Sequence, residues 1–166
     1  VENETIELLL KAAMAAPSAV NSQPWEFVVV TDGEILEDLR KHMLFGRYTV
    51  PLVIAVCGSP KVANNPAGKM FWVQDCSAAT QNILLAAANL GLGAVWIGVY
   101  PLEANIRQVR KSLSIPEEVT PLCLIYIGHP VEPKSPRTQY DEKRVHWQQY
   151  EPRKRRARAK NFGHKE

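Results

Sequence analysis

The sequence predicts a single domain in which helices pack on a central β-sheet. Four short apolar runs are rich in β-branched residues, as strands are. Amphipathic helical patterns separate these runs, and 46% of the 166 residues are hydrophobic, which is enough for one core. Strands alternating with helices favour a parallel doubly wound sheet. However, neither GxGxxG nor GxxxxGK[ST] follows a strand, so the usual phosphate-binding loops are absent from the sequence.

The first half of the chain predicts a helix, a strand and a second helix. The first helix has apolar residues at helical spacing, at Ile6, Leu9, Leu10 and Ala13. We expect Asn3 to cap this helix and Pro17 to stop it. The run Glu26–Asp32 predicts a short strand, and the Asp-Gly pair at its end leads into another helix. The apolar face of that helix comprises Ile35, Leu36, Leu39 and Met43.

The middle of the chain predicts a buried strand, a loop and a central helix. Pro51–Gly58 is almost wholly apolar, as a buried strand is. Ser59–Lys69 is rich in Pro, Asn and Gly, which predicts a loop that could cover a site. Phe71–Leu90 has high helix propensity and is apolar around much of its circumference, and Gly91 supplies a stop.

The last part of the domain predicts a strand, a helix and a further strand. The strands are Gly93–Pro101 and Pro121–Gly128, and the amphipathic run "LEANIRQVRKSL" lies between them and ends before Pro116. From His129 onward the chain is rich in proline and charge, so we expect an extended segment on a surface. Its apolar residues Val145, Trp147 and Tyr150 are too few for a separate core. We therefore expect this segment to pack on a partner.

Charge is concentrated at the end of the chain. The net charge is +3, and residues 151–166 hold seven Lys/Arg against two Glu, a net of +5, which leaves −2 on residues 1–150. The basic run at 153–160 could contact nucleic acid, or it could be a solvated chain end. No aromatic residues alternate with it and no recognition module is visible, so we expect no nucleic-acid partner.

Other classes of site lack the residues that they require. Three cysteines form no CxxC pair, and no signal peptide is visible, so we expect reduced, buried thiols in a cytoplasmic protein. No apolar run approaches the ~18 residues that span a bilayer, so we expect no membrane partner. The histidines lack HExxH spacing, so we expect no metal site. Ser18 has no GxSxG elbow, so we expect no catalytic nucleophile.

Two stretches carry groups that could position a ligand. "APSAVNSQPW" packs hydroxyl and amide groups between Pro17 and Pro24, which predicts either a helix stop with an ST-turn or Asx-turn, or a rigid binding loop. "WIGVY" places Trp96 and Gly98 near the end of a strand, where a flat aromatic ligand could approach the backbone. Core packing of Trp96 is the alternative interpretation of this second stretch.

Three stretches together resemble the flavin-dependent nitroreductase family. They are "APSAVNSQPWEFVVVTD", "DCSAATQNILLAAANLGLG" and "AVWIGVYP", in the order and at the spacing of that family across residues 5–128. The resemblance implies an α+β fold: an α-β-α sandwich with a mostly antiparallel central sheet flanked by helices. It also implies an intertwined homodimer with FMN at the subunit interface. On this resemblance we expect a mostly antiparallel sheet and not the parallel sheet that the alternation of strands and helices favours.

The resemblance also implies positions that bind FMN. Those from one subunit are Pro17, Ser18, Ala19, Asn21 and Gln23. Those from the other subunit, which would lie along the isoalloxazine ring with backbone N–H groups near it, are Trp96, Ile97 and Gly98. Two basic positions that match those holding the FMN phosphate are Lys134 and Arg137.

The implied activity is that of an FMN-dependent oxidoreductase. NADH or NADPH would reduce FMN, and a nitroaromatic, quinone or related acceptor would then reoxidise it in a ping-pong cycle, so no catalytic side chain is expected. The alternative is a flavin-binding protein of the same fold without efficient turnover, such as a reservoir or sensor. We expect an FMN-binding core at residues 1–130, an arm wrapping the partner subunit at 131–150 and a basic tail at 151–166.

One feature departs from the family pattern. Family members usually carry an Arg-x-Ser-x-Arg stretch upstream of the first helix, whose arginines hold the phosphate and ribityl chain. The sequence from Val1 onward has no such stretch. We expect the native chain to begin before Val1; the alternative is that the protein has lost part of its hold on FMN.

Overall fold

A four-stranded sheet forms the centre of this computed structural model, which describes residues 1–43, 45, 47–61, 63, 65–132 and 138–152. The strands are β1 (Trp25–Val30), β2 (Leu52–Gly58), β3 (Gly93–Gly98) and β4 (Thr120–Gly128). Their order across the sheet is β1-β2-β4-β3, and every neighbouring pair is antiparallel. The parallel sheet favoured by alternation alone is therefore wrong, and the antiparallel sheet implied by the family resemblance is confirmed.

The antiparallel pairing follows from where each strand begins. Val30, at the end of β1, pairs with Val53, near the start of β2. The chain therefore re-enters the sheet at the end that it has just left, whereas a parallel crossover would return it to the opposite end. A helix between two strands is compatible with both connections, so the alternation of elements does not fix strand direction.

Four α-helices cover the sheet in the part of the chain that the structure describes. They are α1 (Asn3–Met14), α2 (Gly33–His42), α3 (Pro66–Asn89) and α4 (Glu103–Leu113). Helices α1 and α3 pack on one face of the sheet and α2 and α4 on the other, which gives the α-β-α layers. None of these helices is both long and apolar enough to cross a bilayer.

Each face of the sheet has its own apolar core. Ile54 and Ile125 point towards α1 and α3, whereas their neighbours Val53 and Tyr126 point towards α2 and α4. This division follows from the two-residue period of a strand. All seven residues of β2 are buried, because this strand is covered on both faces and paired on both edges. The apolar composition that predicted a buried strand is thereby explained.

Helix α3 begins earlier than the sequence predicted. The expected loop at Ser59–Lys69 ends at Asn65, whose side-chain oxygen accepts a hydrogen bond from the Gly68 N–H at 3.2 Å. Pro66 takes the first helical position, where its missing N–H costs nothing. Asn, Pro and Gly are common both in loops and in the first turn of helices. Composition alone therefore predicted a loop for a segment that includes the start of α3.

Three smaller differences concern capping and strand length. Strand β1 ends at Val30, because the Asp32 side chain accepts hydrogen bonds at 3.0 Å from two backbone N–H groups in the first turn of α2. Strand β3 ends at Gly98 and does not reach Pro101. Asn3 lies inside α1, and Glu2 occupies the N-cap position without a side-chain cap bond, so the predicted Asn3 cap is wrong.

The chain divides into two units, Val1–Val131 and Glu132–Glu166. In the second unit, the described residues include a short 3-10 helix at Glu142–Arg144 and the exposed side chains of Tyr140, Trp147 and Tyr150. The predicted phosphate-binding residues Lys134 and Arg137, and the basic run at 153–160, lie outside the described residues.

Candidate functional site

The "APSAVNSQPW" stretch folds into a tight loop before β1. A 3-10 turn at Ala19–Asn21 follows Ser18, and three non-glycine residues have left-handed backbone: Val20 at φ 52°, Asn21 at φ 51° and Gln23 at φ 44°. A β-branched residue rarely adopts this conformation, which costs about 1–2 kcal/mol. Strain of this kind persists where surrounding contacts enforce it, and it concentrates at functional sites.

Local hydrogen bonds hold the inside of this loop. The Ser18 hydroxyl oxygen accepts from the Gln23 backbone N–H at 3.0 Å, and the Gln23 side-chain amide donates to the Asn21 side-chain oxygen at 3.1 Å. The Ser18 carbonyl also accepts from the Asn21 N–H at 3.0 Å. This Ser18 side-chain bond spans five residues, so it is not the two-residue ST-turn considered from the sequence. Asn21 and Gln23 are nevertheless exposed, so the loop presents its amides outward.

Two contacts attach the loop to the rest of the domain. Asp75 on α3 is 4% exposed, and its carboxylate accepts from the Ala19 N–H at 2.9 Å and from the Ser22 hydroxyl at 3.0 Å. At the other end of the loop, the Ser59 N–H after β2 donates to the Pro24 carbonyl at 2.6 Å. The loop is thus fixed to a helix on one side and to the sheet on the other.

The second predicted stretch forms the end of β3. Ile97 is 7% exposed and belongs to the core under α2 and α4, so its side chain is unavailable to a ligand. Trp96 is half-buried on the opposite face, beside the core under α1 and α3, so the core-packing interpretation holds for part of its ring. Gly98 is exposed, and a Cβ built there would have no atom within 4 Å. The backbone at Gly98 is therefore open to close approach.

The two stretches lie at the same end of the sheet but at opposite edges. Trp25, directly after the loop, pairs with Gly58 at the end of β2, and Gly58 pairs with Thr120 at the start of β4. Gly98 pairs with Cys123, three residues further along β4. Since β2 and β4 separate β1 from β3, three strand spacings put roughly 14 Å between the two stretches in the direction across the sheet.

An aromatic pair stands at this end of the sheet. Trp72 on α3 covers Gly58, where an added Cβ would overlap the indole ring. Tyr100, which follows β3, meets Trp72 edge to face with ring centroids 4.9 Å apart. The ring of Tyr100 is 40% exposed. Sequence analysis missed this pair, because Trp72 and Tyr100 lie on separate elements and neither belongs to a ligand motif.

Asp75 was also missed by sequence analysis. Its only signal was a charged residue inside an otherwise uncharged stretch of helix, "FWVQDCSAAT". A buried carboxylate requires hydrogen-bond donors, so such a position indicates a tertiary contact. Nothing in a single sequence says which segment supplies the donors.

The thiols belong to the core. Cys57, Cys76 and Cys123 are free and buried. Burial, with a smaller contribution from the nearby Cys123, raises the pKa of Cys57 to about 12. Burial also raises the pKa of Cys123 to about 12. Reactive cysteines have lowered pKa values and are accessible. Their burial and raised pKa values are those of thiols that fill space in a core.

The described residues around the predicted site form no metal-binding cluster. Among the described residues, no group of three or more His, Cys, Asp or Glu side chains is placed to hold a metal ion. A cleft of about 260 Å³ lies at the far end of β1, lined by Val28–Asp32, Ile35 and Ser112–Ser114. This cleft lies at the opposite end of β1 from the loop.

Comparisons with known proteins point to one family. The model of the Nitroreductase family matches residues 1–47 and 44–129. A curated relative from Methanothermobacter thermautotrophicus, named "Putative NADH dehydrogenase/NAD(P)H nitroreductase", is 45% identical over 152 residues, which cover 90% of this chain and 78% of the relative.

Solved structures give the same result. A crystal structure of a protein of that name from Bacteroides thetaiotaomicron is 43% identical, covers 90% of this chain and 87% of its own, and has a TM-score of 0.83. The FMN-dependent nitroreductase from Clostridium difficile R20291 is 32% identical, covers 90% of both chains and has a TM-score of 0.79.

Proposed function

Because the chain belongs to the nitroreductase family, we propose that it is an FMN-dependent oxidoreductase. It takes electrons from NADH or NADPH and passes them to a nitroaromatic, quinone or related acceptor in a ping-pong cycle. The observation that carries the proposal is a rigid, amide-bearing loop and an open strand end at the same end of one sheet. Comparison with an FMN-dependent nitroreductase supports the choice of cofactor.

The residues present suit a flat cofactor. Open space beside Gly98 would admit a ring against the backbone, and any larger side chain would occupy that space. Strand β3 is an edge strand of the sheet as described, so the alternate N–H groups of Trp96 and Gly98 are on its open side, away from β4. The exposed amides of Asn21 and Gln23 supply further donors and acceptors.

Each chain would supply half of each site. The loop at Pro17–Gln23 and the end of β3 lie roughly 14 Å apart across one sheet, which favours their serving two different flavins. A homodimer would pair the loop of one subunit with the β3 end of its partner. Exposed apolar side chains on α1 and α3, including Leu8 at 50% and Leu85 at 60%, offer a surface for such pairing.

When bound, FMN would supply the redox chemistry, receiving hydride from NAD(P)H and giving electrons to the acceptor. The protein would bind and orient the cofactor. The backbone N–H groups of Trp96 and Gly98 would stabilise negative charge on the ring, since fixed donors are strongest where water is excluded. Lys134 and Arg137 would neutralise the phosphate. We assign no side chain as a catalytic acid or base.

Spectroscopy and kinetics test the proposal directly. We expect the purified protein to be yellow with bound FMN, or to bind added FMN. Under anaerobic conditions NADH or NADPH should bleach the flavin absorbance, and an acceptor should restore it. Initial rates over both substrates should give parallel double-reciprocal plots. A colourless preparation that fails to bind FMN would contradict the proposal.

Two further outcomes separate the alternatives. FMN binding without acceptor-dependent NAD(P)H oxidation would instead identify a flavin-binding protein without turnover. Light scattering at micromolar concentration should give the mass of a dimer, and a monomer that binds FMN tightly would contradict the shared site.

A further inference from the structure

We propose that Asp75 is a positioning residue that fixes the Ser18–Gln23 loop in the shape that receives the flavin. The inference rests on the proposed function. Asp75 lies in the middle of α3, more than fifty positions from the loop, and both carboxylate oxygens are used on it: Oδ1 accepts from the Ala19 N–H at 2.9 Å and Oδ2 from the Ser22 hydroxyl at 3.0 Å.

The loop needs an external anchor because its own preferences oppose its shape. Val20, Asn21 and Gln23 have left-handed backbone, and a free chain would place these residues elsewhere. The two groups that Asp75 holds, Ala19 and Ser22, lie on either side of Val20 and Asn21. An anchor on both sides of the strained pair restricts its conformations far more than a single contact would.

Burial of the Asp75 carboxylate costs free energy, and a role in anchoring the loop would explain why this residue is present. Its side chain is 4% exposed on the α1 and α3 side of the sheet, where neighbouring Cys76 and Ala79 are completely buried. A buried carboxylate loses its hydration, and an apolar residue of similar size would avoid that cost. The two oxygens of this one side chain accept from donors on both sides of the strained pair, so Asp75 holds the loop at two points from a single position.

The test compares four variants for FMN affinity and for unfolding of the FMN-free protein. Asp75→Ala removes both anchors, and we expect FMN to bind about tenfold more weakly or worse. Asp75→Asn should restore most of the affinity, since its oxygen can accept from Ala19 and its amide can donate to the Ser22 oxygen. Ser22→Ala removes one anchor and should give an intermediate loss.

Asn82→Ala is the matched control on the same helix. The Asn82 amide donates to the Ala12 carbonyl at 2.9 Å, so this change removes a contact between α3 and α1 without touching the loop. We expect it to lower the melting temperature of the FMN-free protein while leaving FMN affinity within about twofold. Hydrogen exchange supplies a readout without FMN: the Ala19 amide should exchange about tenfold faster in Asp75→Ala and unchanged in Asn82→Ala.

The outcomes separate this inference from the proposed function. If the unsubstituted protein fails to bind FMN, the proposed function fails and the inference fails with it. If the unsubstituted protein binds FMN and Asp75→Ala binds it equally well, the inference alone is overturned. It is also overturned if Asp75→Asn binds as weakly as Asp75→Ala, because the carboxylate charge and not the loop geometry would then matter.

Discussion

The two halves of the proposed site are built in opposite ways. The Ser18–Gln23 loop keeps its shape through left-handed residues and hydrogen bonds to side chains, including a buried carboxylate 56 positions away. The end of β3 keeps its shape through regular pairing with β4 and offers open backbone at Gly98. The loop depends on particular side chains, whereas the end of β3 depends on the absence of a side chain at Gly98.

This difference indicates how each half fails. A substitution in the loop acts by releasing a strained conformation, so it should change both stability and ligand affinity. A substitution at Gly98 acts by filling space, so it should change affinity alone. Either effect stays local only if the sheet between the two halves is rigid. The buried thiols of Cys57 in β2 and Cys123 in β4 can be used to measure that rigidity.

The largest expected effect is protection of these thiols. Cys57 and Cys123 are completely buried between the two halves. At mildly alkaline pH we expect an aromatic disulfide reagent to label the folded protein about 1000-fold more slowly than the protein in concentrated guanidinium chloride, because labelling requires opening of the core. Absorbance of the released thiolate measures both rates. Rapid labelling of Cys57 or Cys123 in the folded protein, located by mass spectrometry, would show that the sheet between the halves opens.

The same thiols predict a pH dependence of stability. Burial raises the pKa of Cys57 from 9.0 to about 12, so the folded state keeps a proton that the unfolded state releases. The free energy of unfolding should therefore fall as the pH rises from about 9 towards 12. Denaturation curves across this range measure the slope, and Cys57→Ala should reduce it.

The second effect concerns Gly98. We expect Gly98→Val to weaken FMN binding about ten- to a hundredfold, because the side chain would occupy the space proposed for the ring. The FMN-free protein should unfold as before, since nothing lies within 4 Å of the new Cβ and valine suits a strand. Gly93→Ala at the other end of β3 is the control, because its Cβ would make ordinary contacts at 3.5 and 3.6 Å. Unchanged FMN affinity in Gly98→Val would place the ring elsewhere.

The two halves also differ in how far the sequence predicts them. Strand β3 follows from its apolar, β-branched composition, and a tryptophan and a glycine near its end suffice to propose close approach of a ligand at Gly98. The loop shape does not follow from local preference, since valine disfavours the backbone that Val20 adopts. Asp75 and the loop that it holds are far apart in the sequence and come together only in the folded chain. Strand order likewise depends on long-range pairing.

A smaller effect is expected at Ser18. Its oxygen accepts from the Gln23 N–H at 3.0 Å, and Gln23 has left-handed backbone. Ser18→Ala should weaken FMN binding about two- to tenfold, the usual value of one neutral hydrogen bond. Ser18→Thr keeps the oxygen and should restore the affinity, as titration of FMN fluorescence would measure. Equal binding by the alanine variant would reduce Ser18 to a helix stop, the alternative that the sequence left open.

The smallest expected effect distinguishes strain from packing in the loop. Val20 has φ 52° and is 78% exposed, and Ser114 after α4 has φ 53° far from the site in sequence. Glycine adopts this conformation freely but loses more entropy on folding, so each change to glycine should stabilise the FMN-free protein by about 0.5–1 kcal/mol. A rise of about 1–3 °C in melting temperature should follow in each case.

Affinity then separates these two positions. Ser114→Gly should leave FMN binding unchanged, whereas Val20→Gly should weaken it about twofold, because a loop that is free to move is less well prepared for its ligand. If Val20→Gly is more stable but binds FMN more weakly, the strained conformation of the loop contributes to binding. If Val20→Gly instead lowered the melting temperature while Ser114→Gly raised it, the Val20 side chain would be making a stabilising contact, and the contrast between a strained loop and a relaxed strand would fail.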